Sequence, residues 1–167
     1  MKKAIIVYKG KYGATKQYAQ WLGEETGFPV VAADESDADE VDQSEMVIIG
    51  TSVYIGKLQI RKWLIENLAI LKNKKLHLFV VAGTPPEQVN KLMPYVRNSV
   101  PNEIFEKMTI TFLPGRLIFR KLGWWDKFLL KMGAKMTKDK NEAKGMLTDH
   151  DDVKKENLDR LISQFKK

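Results

Sequence analysis

The stretch "AIIVYKGKYGATK", residues 4–16, decides the fold. Residues 4–8 form a short apolar, β-branched run that ends in polar and glycine residues. A run of about 4–8 apolar residues bounded by glycine fits a strand buried on both faces, as in a parallel sheet. From residue 14 the period changes. Tyr18, Trp21, Leu22 and Glu25 recur at helical spacing, and Gly27 offers a stop. Between strand and helix lies "KGKYGATK", residues 9–16. Gly10 and Gly13 let the backbone curl so that successive N–H groups point inward, and the helix N-terminus adds partial positive charge. Thr15 contributes a hydroxyl, and Lys9, Lys11 and Lys16 contribute charge. The loop reads as a phosphate cradle. It is neither a P-loop, which ends in Gly-Lys-Ser/Thr, nor a GxGxxG fingerprint.

The same alternation continues along the chain. "MVIIG" (46–50), "LHLFVVA" (76–82) and "TITFL" (109–113) read as further strands, the last nearer an edge; "FPVVAA" (28–33) is a weaker candidate. Helical stripes fall in between. Ile60, Trp63, Leu64, Leu68 and Leu71 predict a helix over 59–71. Val89, Leu92, Met93 and Val96 predict one over 87–100, after Pro85 and Pro86. Leu158, Leu161, Ile162 and Phe165 predict one over 153–165, with Asp149, Asp151 or Asp152 as cap. This order is that of an α/β, doubly wound, five-stranded parallel sheet in strand order 2-1-3-4-5, with helices on both faces. At 167 residues the chain is expected to form a single domain, 1–167. Residues 34–45 hold seven acids and read as a solvated short helix and loop.

The totals exclude several classes. The chain has no cysteine, so disulfides, zinc–thiolate sites and thiol nucleophiles are excluded, and a reducing, cytoplasmic setting fits. The apolar run after Lys3 is too short for a secretory signal, and nothing approaches the roughly 18 apolar residues of a bilayer span. The net charge of +7 points to an acidic partner. His77 lies in an apolar strand and His150 beside a helix cap, so both read as structural and no metal site is expected.

In a doubly wound fold, ligands bind outside the carboxyl ends of the strands. Two further loops leave strands there: "GTSVYIGKL" (50–58), with hydroxyls, a tyrosine and a flexible Gly56, and "AGTPPE" (82–87). Two glycine-containing loops facing a phosphate cradle suit a flat heteroaromatic phosphate. A response regulator would need carboxylates after the first and third strands. Tyr8-Lys9 and Gly50-Thr51 stand there instead. The three loops resemble those of the flavodoxin superfamily over roughly residues 1–113, and that resemblance implies bound FMN. The expected contacts are Lys9, Gly10, Lys11, Tyr12, Gly13, Ala14 and Thr15; Thr51, Ser52, Val53, Tyr54, Ile55 and Gly56; and Ala82, Gly83 and Thr84. Lys9 and Gly10 stand where that superfamily usually has hydroxyls. Thr15 keeps the pattern, and Lys9 and Lys11 compensate electrostatically.

After the fifth strand comes "PGRLIFRKLGWWDKFLLKMGAKMTKDK", residues 114–140, which carries +6 of the chain's +7 net charge. It is too long for an ordinary connection. Ile118, Leu122, Trp125, Leu129, Met132 and Met136 follow at spacings of 4, 3, 4, 3 and 4, one helical stripe that Gly123 and Gly133 are placed to interrupt. Two readings are open: a helix packed on the core with a solvated basic back, or a basic amphipathic segment on an anionic bilayer with Trp124 and Trp125 at headgroup level. Single-stranded nucleic acid also takes basic residues among aromatics. No other element carries a nucleic-acid motif, so no nucleic-acid partner is expected.

Pro114-Gly115-x-Leu117, the basic residues, Trp124-Trp125-Asp126-Lys127-Phe128, Lys131 and Lys135-Met136 resemble one branch of the superfamily, the menaquinone-dependent protoporphyrinogen IX dehydrogenases. That likeness extends over almost the whole chain. It implies an enzyme whose FMN accepts electrons from a porphyrinogen-like substrate and passes them to a membrane quinone. It also implies a cytoplasmic protein, peripheral on the inner face of the cell membrane. Membrane or substrate contacts are expected at Arg116, Arg120, Lys121, Trp124, Trp125, Lys127, Phe128 and Lys131. If flavin does the redox work, no side chain need be an acid or base. The alternative is a flavodoxin-type soluble electron carrier. Such carriers are acidic, which this chain is not.

Overall fold

A computed structural model describes residues 2–166. In chain order the elements are β1 (Lys2–Lys9), α1 (Ala14–Thr26), β2 (Val30–Ala32), α2 (Ala38–Asp42), β3 (Ser44–Tyr54) and β4 (Lys57–Leu58). Then come α3 (Arg61–Glu66), α4 (Leu68–Leu71), β5 (Lys75–Ala82), α5 (Val89–Arg97), α6 (Asn102–Phe105) and β6 (Met108–Pro114). The chain finishes with β7 (Arg116–Leu117), α7 (Trp124–Met136), α8 (Lys140–Leu147), β8 (His150–Asp151) and α9 (Asp159–Ile162). The main sheet runs β2-β1-β3-β5-β6, all parallel. With the two-residue β4 set aside, this is the expected order 2-1-3-4-5, with the alternating strand 109–113 at an edge. β4 is an extra short strand, antiparallel to β3.

Alternation along each strand sends successive side chains to opposite faces. Ile5, Val7, Val47, Ile49, Leu78 and Val80 face α2 to α6, where Val41, Trp63, Leu64, Leu71, Val96 and Ile104 are buried. Ile6, Ile48, Phe79 and Val81 face α1 and the C-terminal segment, through Tyr18, Leu22, Leu158, Leu161 and Phe165. Burying one such Leu or Ile contributes about 1.5–3 kcal/mol, which is why both faces are covered. The parallel register pairs Lys9 with Thr51, Ser52 with Val81 and Ala82 with Pro114. The three loop-bearing strand ends therefore lie in one row.

Three helix expectations change. The stripe over 59–71 is two helices broken at Asn67, whose backbone amide and side chain both donate to the Trp63 carbonyl at 3.0 Å. The helix expected over 87–100 starts at Val89, because residues 85–88 close a turn through the Gln88 amide and the Pro85 carbonyl at 3.0 Å. The pattern over 153–165 is a 3₁₀ turn (Lys155–Leu158) followed by α9. None of the three aspartates offered as its cap serves there: Asp149 accepts from the Phe119 amide and Asp151 from the Val153 amide.

The insertion departs furthest from expectation. Its apolar stripe does not form one helix from Ile118. β7 and a 3₁₀ turn (Phe119–Lys121) come first, and α7 begins after Gly123. Gly133 does not interrupt α7. A Cβ there would meet, at 2.9 Å, the flexible end of the Met146 side chain on α8. The excursion also runs past residue 140, as a helical hairpin closed at its base by antiparallel β7 and β8.

Candidate functional site

The loop after β1 is shaped by close approach. A Cβ on Gly10 would lie 2.7 Å from both Cβ and Oγ1 of Thr15, so the Gly10 peptide passes directly over that side chain. Gly13, at φ 90, caps α1 with no side chain to meet the first amides of the helix. Thr15 is buried, and its Oγ1 has no hydrogen-bond partner among the described residues. An unsatisfied buried hydroxyl costs about 1–3 kcal/mol, so it is a feature in want of an acceptor or donor. A bare helix N-terminus beside an orphaned hydroxyl suits a phosphate group.

The second loop is a tight hairpin. β3 runs on to Tyr54 and pairs back with β4, Tyr54 opposite Lys57. Ile55 (φ 49) and Gly56 (φ 71) make the turn. Positive φ at both turn residues is the hairpin geometry that favours Asn-Gly, and a β-branched isoleucine is strained in it. The Ile55 side chain is exposed. Thr51 is buried and its hydroxyl accepts from the Ile60 amide at 3.1 Å, while Ser52 Oγ accepts from Gln59 at 3.2 Å. In the third loop the Ala82 carbonyl accepts from the Gly115 amide at 2.9 Å, and a Cβ on Gly83 would point into open space.

The insertion reaches the site through Asp126. This carboxylate on α7 is 7% exposed and meets the Lys11 ammonium at 2.8 Å. Tyr12 OH donates to its Oδ2 and Tyr54 OH to its Oδ1. Lys11 also donates to Tyr54 OH at 3.1 Å and lies over the Tyr54 ring at 4.4 Å from its centroid. The Gly123 amide, at the start of α7, donates to Tyr12 OH at 3.3 Å. Burial opposes the charge on Asp126, but Lys11 and the two phenols outweigh it and hold its carboxyl below the ordinary range. Bonding to Asp126, and then to Tyr54, raises Lys11 above a free lysine. Burial, then the bond to Asp126, raises the Tyr12 phenol.

Lys9, Gly10, Lys11, Tyr12, Gly13, Ala14 and Thr15 form one loop and helix start, next to the hairpin of Thr51 to Gly56. Both compensating lysines are engaged with carboxylates, Lys9 with Asp34 at 2.6 Å and Lys11 with Asp126. The insertion residues spread out. Arg116 pairs with Asp151 at 3.4 Å, and its Nε makes no hydrogen bond among the described residues. Lys127 and Lys131 lie over the Phe119 ring. Arg120 and Lys121 are exposed. Trp124, Trp125 and Phe128 are 79%, 49% and 47% exposed, with Trp125 stacked on Phe128. Helix α7 thus inverts the usual pattern, burying its aspartate and exposing its aromatics. Sequence reasoning missed Asp126. The available signal was an acid in the first turn of a strongly basic helix, a position that also complements the helix dipole.

The flavodoxin domain model matches residues 5–144, and the chain belongs to that family. Its cofactor is FMN, and the bare α1 N-terminus with the orphaned Thr15 hydroxyl fits the phosphate of that group. Among curated proteins, the protoporphyrinogen IX dehydrogenases [quinone] of Escherichia coli strains K12 and O157:H7 are similar. Each is 20% identical over 145 residues, covering 81% of this chain and 80% of the relative. Among solved structures, the Trp repressor binding protein from Bacillus subtilis aligns at TM-score 0.51 and 14% identity, covering 68% of this chain and 83% of that one. The two-electron reduced flavodoxin of Megasphaera elsdenii aligns at TM-score 0.50 and 16% identity, covering 65% and 84%. These structures share the fold. Among the described residues, no helix is long and apolar enough to cross a membrane.

Proposed function

We propose that this chain is an FMN-dependent oxidoreductase that takes electrons from a porphyrinogen-type substrate and passes them to a membrane quinone. The observation that carries the reading is the insertion: a basic helix with exposed aromatics, tied through Asp126 to two of the cofactor loops. The likeness to the Escherichia coli dehydrogenases supports it. FMN, when bound, supplies the electron acceptance and release. Gly10 to Thr15 would hold its phosphate, and residues 51–56 and 82–84 its ring. Thr15 Oγ1 and the first amides of α1 would donate to the phosphate and so orient the cofactor. Arg120, Lys121 and Lys131 attract the anionic groups of substrate and lipid, and Trp124, Trp125 and Phe128 enter the headgroup layer.

The test is an anaerobic assay of FMN-loaded protein with protoporphyrinogen IX and a menaquinone analogue. Protoporphyrin should form faster than in the protein-free control. A rate equal to that control, with FMN shown to be bound, favours the alternative, a flavodoxin-type electron carrier without its own small-molecule substrate. The family match supports that alternative equally. The net charge of +7 weighs against it.

A further inference from the structure

We propose that Lys11, Tyr12 and Tyr54 form a carboxylate-recognition site for the electron donor, and that Asp126 fills it as an internal stand-in until the donor's own carboxylate takes its place. The inference rests on the porphyrinogen reading only for the donor's identity.

The chemistry of the cluster carries the argument. One ammonium and two phenols converge on one carboxylate, a phenol to each oxygen and the ammonium at 2.8 Å from Oδ2. That arrangement matches a planar anion with two oxygens. The tetrahedral phosphate has a separate place at the α1 N-terminus, where Thr15 Oγ1 is still without a partner. Access is lopsided. The acceptor is 7% exposed, yet the Lys11 side chain is 43% exposed and Tyr12 is 40% exposed. The donors can therefore be approached from solvent. The residues beside Asp126 on α7, Trp124, Trp125 and Phe128, are themselves exposed, so withdrawing Asp126 uncovers little of their apolar surface. A carboxylate from outside can replace it, ion pair for ion pair.

A stand-in and a clamp predict opposite signs. With FMN-loaded full-length protein, protoporphyrin IX and its dimethyl ester are titrated and binding is followed by porphyrin fluorescence. Asp126→Asn should bind the diacid about ten-fold tighter, because the competing charge is gone, and should leave the dimethyl ester unchanged. Lys11→Met should weaken the diacid by a similar factor. Unchanged or weaker diacid binding by Asp126→Asn makes Asp126 a clamp and overturns the proposal. A second arm needs no porphyrin. Propionate should raise the melting temperature of Asp126→Ala more than chloride at equal ionic strength does, and should not do so for wild type. If that rescue is seen but neither porphyrin binds, the carboxylate site stands and the porphyrinogen reading falls. If diacid and diester bind alike, the porphyrinogen reading stands and this inference falls. No rescue and no diacid binding overturn it outright. Should Asp126→Ala not fold, the ester comparison on wild type and Lys11→Met still decides.

Discussion

Asp126 on α7 and Lys11 in the first loop are 115 residues apart in sequence and 2.8 Å apart in space. The contact joins the basic insertion to the loop at the start of α1. It also explains why the aspartate is the buried residue of a helix whose tryptophans are exposed.

The pair makes stability depend on pH at both ends. Asp126 titrates below its ordinary value in the folded chain, so its contribution is present above about pH 4 and is lost as pH falls through the folded value. Asp126→Asn should lower stability near neutrality by on the order of 1 kcal/mol, and the gap to wild type should close in acid. Tyr12 and Lys11 titrate above their ordinary values. Their contribution is full below about pH 10 and is lost as pH rises through the folded values. Tyr12→Phe should flatten that alkaline loss. Melting temperatures from pH 3 to 11 check both limbs, and an Asp126→Asn gap that persists in acid would contradict the first.

Thr15 gives a prediction of opposite signs for two measurements. Its hydroxyl is buried without a partner among the described residues. Thr15→Val removes that hydroxyl at nearly constant shape, so the flavin-free chain should gain about 1 kcal/mol. The same variant should weaken FMN by roughly ten-fold, because a charge-assisted hydrogen bond to phosphate is lost. Urea unfolding and flavin fluorescence titration read the two effects. Weaker FMN binding without the stability gain would mean that the hydroxyl is satisfied before the cofactor arrives.

Ile55 holds a positive φ at the hairpin tip, where a β-branched residue is strained by about 1–2 kcal/mol. Ile55→Asn suits the turn and should raise the urea midpoint of the flavin-free chain, by about 1 kcal/mol in stability. An unchanged or lower midpoint would show that the turn carries no such strain.

What the sequence revealed follows the range of the forces involved. The runs 4–8, 46–50 and 76–82 are strands buried on both faces, and burial writes itself into consecutive apolar residues. The Gly10–Gly13 loop was legible because a tight strand-to-helix turn leaves few residue choices. The break at Asn67 was not, since the apolar stripe runs on unbroken from Leu64 to Leu68 and Leu71 on either side of it. Asp126 was hidden for a stronger reason. Its three donors lie 72 to 115 residues away, and no local period records a contact of that kind. The stripe from Ile118 to Met136 misled because its helical period continues through a 3₁₀ turn that does not belong to α7.

The exposed stripe of α7 separates the two readings of the insertion. Trp124, Trp125, Phe128, Met132 and Met136 are all exposed, so a double substitution Trp124→Ala with Trp125→Ala should move stability by no more than about 0.5 kcal/mol. A core-packed helix would lose several times that. On anionic vesicles the expectation reverses. Each Lys or Arg near the surface contributes about 1 kcal/mol, screened by salt over a Debye length of about 10 Å at 0.1 M. The two indoles add an apolar term that salt does not remove. Wild type should therefore sediment with phosphatidylserine-containing liposomes, less at high salt but not to zero. The double variant should melt like wild type, bind more weakly and lose its remaining binding in salt. Equal liposome binding by the two proteins would show that these tryptophans do not enter the headgroup layer, and that charge alone holds the insertion to the surface.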